Sequence, residues 1–416
     1  MTGTSEHRER PRVAITGLGV KTPAGNDVET FWSTILEARS CAAPITRFDA
    51  SELPVSFGCE VRDFDPTAYV GPKESRRADR STLLSIAAAS DALADAGDVA
   101  TDPARCAVVA GTGIGGLMTI EDGIHTVQTR GPSRISPFFV PMMMANASAG
   151  LIAMRLGWTG PNLCISTACA ASTNAIGEAT RLLREGSADV VMAGGTESVI
   201  TPVAIAAFAR MGALSKRSDD PQHASRPFDA DRDGFVMGEG AAYVVLERLD
   251  RALARGATIY AEVAGYGRNS DAYHITAPSP GGNGAAACMQ LALDDAGLDP
   301  SEIGHVNAHG TSTTLNDAAE AEAIRKVFGD DSPAVTSVKG VTGHLIGAAG
   351  ATEAVATVLA VRSGQVPPTA NLERIGDDIG VDVVGGSPRD VGSRPAISNS
   401  FGFGGHNASL VFRPVS

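Results

Sequence analysis

The sequence predicts an α/β fold whose elements run through a similar order twice around one shared core. Short β-branched runs ending in Gly alternate with stretches of helical apolar spacing, the pattern of strands and helices in stacked layers. The alternation starts afresh near Arg255, and no low-complexity linker separates the two passes. A chain of 416 residues is long enough for such an arrangement.

In chain order, Val13-Ala14-Ile15-Thr16-Gly17 reads as a buried strand running into a loop. Ser85–Gly97 has apolar residues at helical spacing and stops at Gly97, and Cys106–Gly111 repeats the strand pattern. The apolar run Leu163-Cys164-Ile165 leads into a sharp turn, and Thr173–Glu185 follows as a helix closed by Gly186. Asp189–Gly194 is the next strand. In the second pass, Ile259–Val263 reads as a strand, Gly284–Gly297 as a helix and His305–Ala308 as a strand entering a Gly-Thr loop. Asp317–Phe328 is helical, Val335–Val338 a short strand and Ile346–Ser363 another helix. Only the order of elements repeats; residue identity does not display a duplication. The chain divides into halves at 11–257 and 258–413.

Composition narrows the function. Hydrophobic residues at 43% and charged residues at 19% describe a globular protein. A formal charge of −13 argues against nucleic acid as a partner. It argues less against an acidic protein, because Lys73, Arg76, Arg77 and Arg80 cluster and an exposed basic patch steers acidic partners. Six cysteines without a CxxC pair fit reduced thiols in a cytoplasm. Met1–Arg10 is polar, without the apolar core of a signal peptide, and no run of about 18 apolar residues offers a membrane span.

Four constellations carry chemistry. Cys169, in Ser166-Thr167-Ala168-Cys169-Ala170-Ala171-Ser172, stands on a strand-to-helix turn. A helix start favours thiolate over thiol and offers free N–H groups to an oxyanion. A free cysteine more often simply packs, so this turn alone leaves both roles open. Val306-Asn307-Ala308-His309-Gly310-Thr311-Ser312-Thr313 places a His where a strand ends in a loop, projecting into a cleft or satisfying backbone groups. Lys339-Gly340-Val341-Thr342-Gly343-His344 precedes Gly347-Ala348-Ala349-Gly350 and Glu353. The small residues allow a helix to pack closely, and Lys339 with Glu353 forms a pair of structural or catalytic use. The loop Asn399-Ser400-Phe401-Gly402-Phe403-Gly404-Gly405-His406-Asn407 lacks the Lys of a phosphate cradle and reads better as a hinge. The N–H of Phe403 is placed to complete an oxyanion hole opposite that of Cys169.

Together these residues resemble the β-ketoacyl-ACP synthases, the decarboxylating condensing enzymes, and most of all the elongating synthase II type. The resemblance spans residues 11–413 and includes Ala224-Ser225-Arg226-Pro227-Phe228-Asp229 and Asp231-Arg232-Asp233-Gly234-Phe235-Val236. It implies a thiolase-like five-layer α-β-α-β-α fold of two related halves, normally dimeric. Cys169 is then the acylated nucleophile, with His309 and His344 beside it and Lys339 supporting the site with Glu353. Thr311 and Thr313 match positions that bind a pantetheine arm, Phe403 matches a gating residue, and Asp271 and His274 match residues near the entrance. Ile114, Phe139 and Phe208 would line an acyl pocket. The resemblance implies no metal and no redox cofactor. Its partners are an acyl carrier protein and a second subunit, identical or a chain-length partner.

Three features depart from synthase II. Gly340-Val341 replaces a common Ser-Met, His406 stands for Thr, and Gly212 stands where some relatives have an Arg facing the carrier. These keep a ketosynthase of a type II polyketide pathway as the alternative to fatty-acid elongation. A thiolase would need a second Cys in the Gly402–Gly405 region, and an initiation synthase would have Asn at His344.

Overall fold

Two strands meet at the middle of the molecule, and everything else is arranged outward from them. In a computed structural model describing residues 10–99 and 101–415, Val13–Lys21 lies antiparallel to Ala261–Ser270, paired only at Ala14 with Glu262 and Ile15 with Ala261. The reading of Met1–Arg10 therefore falls, except for Arg10, outside the described residues. From Val13–Lys21 the sheet continues through Gly240–Arg248, Val190–Glu197, Cys106–Gly111 and Asn162–Ile165. From Ala261–Ser270 it continues through His406–Arg413, Ala396–Gly402, His305–Asn307 and Ala334–Thr336. In either direction the pairings are antiparallel, antiparallel, parallel, parallel.

Helices complete five layers. Arg80–Ala96 and Ala147–Leu156 cover the outer face of the first sheet half, and Asn283–Ala296 and Thr314–Phe328 that of the second. Between the halves lie Ala171–Arg184 and Ala349–Ser363, each touching strands of both. The second of these has small or apolar residues on every side, and from Ala349 to Val361 all but Leu359 are buried. The sequence expectation of an α/β, thiolase-like layering is what the chain adopts.

Small residues set how closely the central helices meet. A Cβ on Gly350 would stand 1.9 Å from Thr173 Oγ1, and Ser172 Oγ accepts the Ala351 N–H at 2.9 Å. The turn ahead of one helix is thereby pressed against the turn ahead of the other. At the far end of the seam the buried carboxylate of Glu262 accepts both Arg12, at 2.6 Å, and Arg413, at 2.8 Å.

Several boundaries differ from the sequence reading. The first strand runs on to Lys21, and the strand expected at Val335–Val338 stops at Thr336 because Lys339–Thr342 coils into a helical turn. The Gly-rich loop is the tip of a hairpin: Gly402 pairs with His406, and Gly404 and Gly405 have φ of 85° and 73°. Among the described residues no helix is long and apolar enough to cross a membrane.

Candidate active site

Strand Asn162–Ile165 ends at a turn in which Ala168 adopts φ 50°, followed by a 3₁₀ turn, Ala168–Ala170, and the central helix. Cys169 is held at that turn with only 7% exposure. Its own N–H and that of Phe403 lie near the sulfur and both act to hold the thiol down. The expectation of a thiol poised low by the helix start is overturned: burial pushes Cys169 up to about 11. The charge of Lys339 and the two N–H groups pull it back only in part.

His344 follows the helical turn Lys339–Thr342 and is fixed by its N–H bond to Val236 O at 2.7 Å. Its Nε2 lies 3.0 Å from Cys169 Sγ, and its Nδ1 accepts the Ile346 N–H at 3.3 Å. Phe235 meets the ring edge-on, with centroids 5.2 Å apart. His309 stands across from it at 5.4 Å between centroids. Its Nδ1 is 3.3 Å from Lys339 Nζ, which also donates to His309 O at 2.6 Å. Lys339 is ion-paired with Glu353, and both are buried.

These contacts fix both tautomers. Each Nδ1 faces a donor, so each Nε2 carries the hydrogen. Burial drives both imidazoles well below the usual histidine range, with Lys339 pushing the same way, so both are neutral donors. Cys169, His309 and His344 each bring a possible ligand atom to within 4.8 Å of the others, a metal-like spacing. The Nδ1 lone pairs of the two histidines are nevertheless engaged by Lys339 and the Ile346 N–H, so the imidazoles present hydrogen-bond donors to that space.

The three residues line one cavity of about 490 Å³, and Ile114, Phe208, Asp271, Thr311, Thr313 and Phe403 line it with them. Lys339 and Glu353 stand behind His309. One expected pocket residue lies elsewhere, and one expected at the entrance stands beside the lining. The Phe139 ring occupies the space beside Gly123, where a Cβ would meet it at 2.2 Å. His274 is exposed, and its Nδ1 accepts the N–H groups of Thr276 and Ala277, which do line the cavity. Of the basic cluster, Lys73, Arg76 and Arg77 are exposed, and Arg77 lies over the Phe138 ring at 4.2 Å. Arg80 is instead committed to the buried carboxylate of Glu239 at 2.9 Å.

The sequence reading missed Glu320. Its two oxygens accept the N–H groups of His309 and Gly310, each at 2.7 Å, and so hold the histidine loop. It also missed Asp317, which receives the Phe228 N–H at 2.9 Å. The available signal was two carboxylates one helical turn apart, Asp317 and Glu320, in a helix where both are buried. The Ala224–Asp229 stretch braces the same region, with Ser225 Oγ donating to Lys339 O at 2.7 Å and Arg226 paired to Asp229 at 2.9 Å.

Comparison with known proteins gives a consistent family. Residues 10–252 match the beta-ketoacyl synthase N-terminal domain and residues 260–373 its C-terminal domain. The chain is 50% identical to a 3-oxoacyl-[acyl-carrier-protein] synthase 2 of Synechocystis sp. over 409 residues, 97% of this chain and 98% of that one. Among solved structures it is similar to the ishigamide ketosynthase/chain length factor, with TM-score 0.91 and 37% identity, covering 98% of this chain and 100% of that chain. It is also similar to a type II PKS ketosynthase in complex with its acyl-carrier protein, with TM-score 0.90, 32% identity and the same coverage.

Proposed function

This chain belongs to the beta-ketoacyl synthase family, and we propose that it elongates acyl chains by decarboxylative condensation, using Cys169, His309 and His344. The observation that carries this reading is the pair of neutral imidazoles, locked with both Nε2–H groups free of their Nδ1 partners, beside a cysteine flanked by two backbone donors. In the first step Cys169 sulfur attacks the thioester carbonyl of an acyl carrier protein. The tetrahedral oxyanion accepts the N–H groups of Cys169 and Phe403, an effect of about 3 kcal/mol per donor. The carbonyl reforms, the acyl group stays on Cys169, and the thiol proton leaves with the carrier's sulfur.

In the second step a malonyl carrier loses CO2. The electron pair of the breaking C–C bond moves onto the thioester oxygen, and His309 and His344 donate N–H bonds to that enolate. The enolate carbon then attacks the acyl-Cys169 carbonyl, the C–S bond breaks, and Cys169 sulfur takes a proton from solvent. The products are CO2 and a 3-oxoacyl carrier two carbons longer.

Lys339 and Glu353 support the donors from behind, the pair fixing the His309 tautomer. Thr311 and Thr313 suit a pantetheine arm, and Asp271 ties the hairpin tip through Gly405 O at 2.9 Å and Asn407 Nδ2 at 2.7 Å, next to the gating position Phe403. Ile114 and Phe208 form the apolar wall met by the acyl chain. Fatty-acid elongation is favoured by the synthase 2 relatives, with a polyketide ketosynthase as the second reading from the structural neighbours. A carrier protein is the partner, docking at Lys73, Arg76 and Arg77, and the enzyme is a dimer acting in the cytoplasm. The halves 11–257 and 258–413 supply the nucleophile and the histidines respectively. Intact-mass measurement after incubation with acyl carrier should show one acyl adduct, absent in Cys169→Ala. Addition of malonyl carrier should then discharge it with release of CO2. An adduct on Cys164, or none at all, would overturn the assignment.

A further inference from the structure

The turn that bears Cys169 occurs twice. Ala168 has φ 50° and opens a 3₁₀ turn, Ala168–Ala170, ahead of the central helix Ala171–Arg184. Ile346 has φ 48° and opens a 3₁₀ turn, Ile346–Ala348, ahead of the central helix Ala349–Ser363. Gly347 thus stands in the second half where Cys169 stands in the first. The Cys169 N–H lies beside its own sulfur and helps hold the thiol down. The Gly347 N–H is bonded instead to the carboxylate of Glu197, at 3.1 Å.

Glu197 ends the strand Val190–Glu197 and is wholly buried. It also accepts the Gly113 N–H at 2.5 Å, the Thr112 hydroxyl at 3.1 Å and the Ile114 N–H at 3.3 Å. All four partners are donors, which a carboxylate satisfies and an amide does not. Burial pushes its carboxyl up to about 7 while those donors hold it down. The packing leaves no slack: a Cβ on Gly347 would lie 2.3 Å from Gly113 N, and one on Gly113 would lie 2.9 Å from Ile346 Cγ2.

We propose that Glu197 is a positioning residue for the condensation, an internal carboxyl group that occupies the second half's copy of the nucleophile turn. By fixing Gly347 it holds the Ile346 N–H against His344 Nδ1, and so aims His344 Nε2–H at the reacting sulfur. By fixing Gly113 and Ile114 it sets one wall of the acyl cavity in the same stroke. The assignment rests on the condensation reading, because its consequence is carried by His344.

The test compares the intact enzyme with Glu197→Gln in two separate assays, acyl transfer onto Cys169 and CO2 release from malonyl carrier by the acylated enzyme. CO2 release should fall at least tenfold more than acyl transfer, and the range of accepted acyl lengths should broaden. Equal losses in both assays would mark a general structural role and overturn the proposal, as would parent-like behaviour. Thr112→Val removes one donor and covers the case in which the glutamine variant fails to fold. It should show the same imbalance at about threefold, and Thr112→Ser should restore the parent ratio; no imbalance in Thr112→Val overturns the proposal. If the parent enzyme releases no CO2, the condensation reading fails, which is distinct from parent and variant both releasing it equally.

Discussion

The two halves of the molecule use the same packing device at the same place. In the first, Gly17 and Gly19 of strand Val13–Lys21 let helix Arg80–Ala96 approach until an added Cβ would lie 2.1 Å from Ala92 O and 2.0 Å from Ala88 O. In the second, Gly265 and Gly267 of strand Ala261–Ser270 do the same, at 2.1 Å from Ala292 O and 2.2 Å from Cys288 O. The strand residue between each glycine pair donates its N–H to a helix carboxylate, Leu18 to Asp95 at 2.8 Å and Tyr266 to Asp295 at 3.0 Å. The halves part company near the central helices. Strand Asn162–Ile165 reaches its turn through Ser166 and Thr167 alone, whereas strand Ala334–Thr336 reaches its turn through the segment 337–345, which carries Lys339 and His344. One half has the short turn with Cys169 on it. The other has a glycine there and brings its chemistry in on a longer approach.

The largest expected effect falls on that divergence. His344→Ala should retain measurable acyl transfer to Cys169 and lower CO2 release by about 10²- to 10³-fold, since it removes one enolate donor. Parallel rate measurements on the two half-reactions check this, and equal losses would place His344 in the shared chemistry of both halves instead. Next comes the packing device. Gly17→Ala and Gly265→Ala should each destabilise by about 3 kcal/mol, because each forces a Cβ against a backbone carbonyl. Thermal unfolding of the two variants should agree closely, and a wide gap would show that only one strand–helix contact sustains the core.

A third expectation concerns pH. Burial pushes Glu320 up to about 7 against the N–H bonds of His309 and Gly310. A carboxyl raised in the folded state contributes stability that is present below its unfolded value of about 4.5 and is lost as pH rises through 7. Glu320→Gln should lose that pH dependence. It should start below the parent enzyme, because its NH2 faces one of the two N–H donors, and then recover by up to about 3 kcal/mol relative to the parent as pH rises through the window, in unfolding titrations at fixed pH. A difference constant with pH would mean that Glu320 is ionised in both states. The smallest effect is at the surface of the first half. Reversing charge at Arg76 and Arg77 should raise KM for the carrier several-fold and flatten its salt dependence while leaving kcat near the parent value. An unchanged KM would return these residues to an ordinary solvated face.

Much of this was legible in the sequence because it depends on local pattern. The strand Cys106–Gly111 and the helix ends at Gly97 and Gly297 lie where β-branched runs and terminal glycines put them. The residues Cys169, His309 and His344, far apart in the chain, stand around one cavity. The repeat was legible only as an order of elements, because only the residues at the strand–helix contact are constrained to match. It survives in Leu93-Ala94-Asp95-Ala96-Gly97 beside Leu293-Asp294-Asp295-Ala296-Gly297, too short to stand out against unrelated surroundings. Glu197 and Glu320 were hidden for a different reason. Apart from the Thr112 hydroxyl their partners are backbone N–H groups, which every sequence supplies, so little at the receiving end marks them. Phe139 and His274 were placed by resemblance alone, and neither lines the cavity of the single chain. The thiol's acidity could not be read from a helix start, because the same turn that supplies the dipole also removes the sulfur from water.

The carboxylate of Glu262, gripped by Arg12 and Arg413 at once, has a consequence for how the chain can be rewired. The opening and closing stretches of the fold are fastened to one anchor, so the polypeptide path is nearly a closed loop. A short linker could join the stretches at Arg12 and Arg413, which meet on Glu262. New ends could then be opened at an exposed turn such as Pro300–Glu302, giving a circular permutant with every layer intact. In such a permutant the two halves would be synthesised in a different order, while Cys169 and the two histidines would still meet across the same central helices.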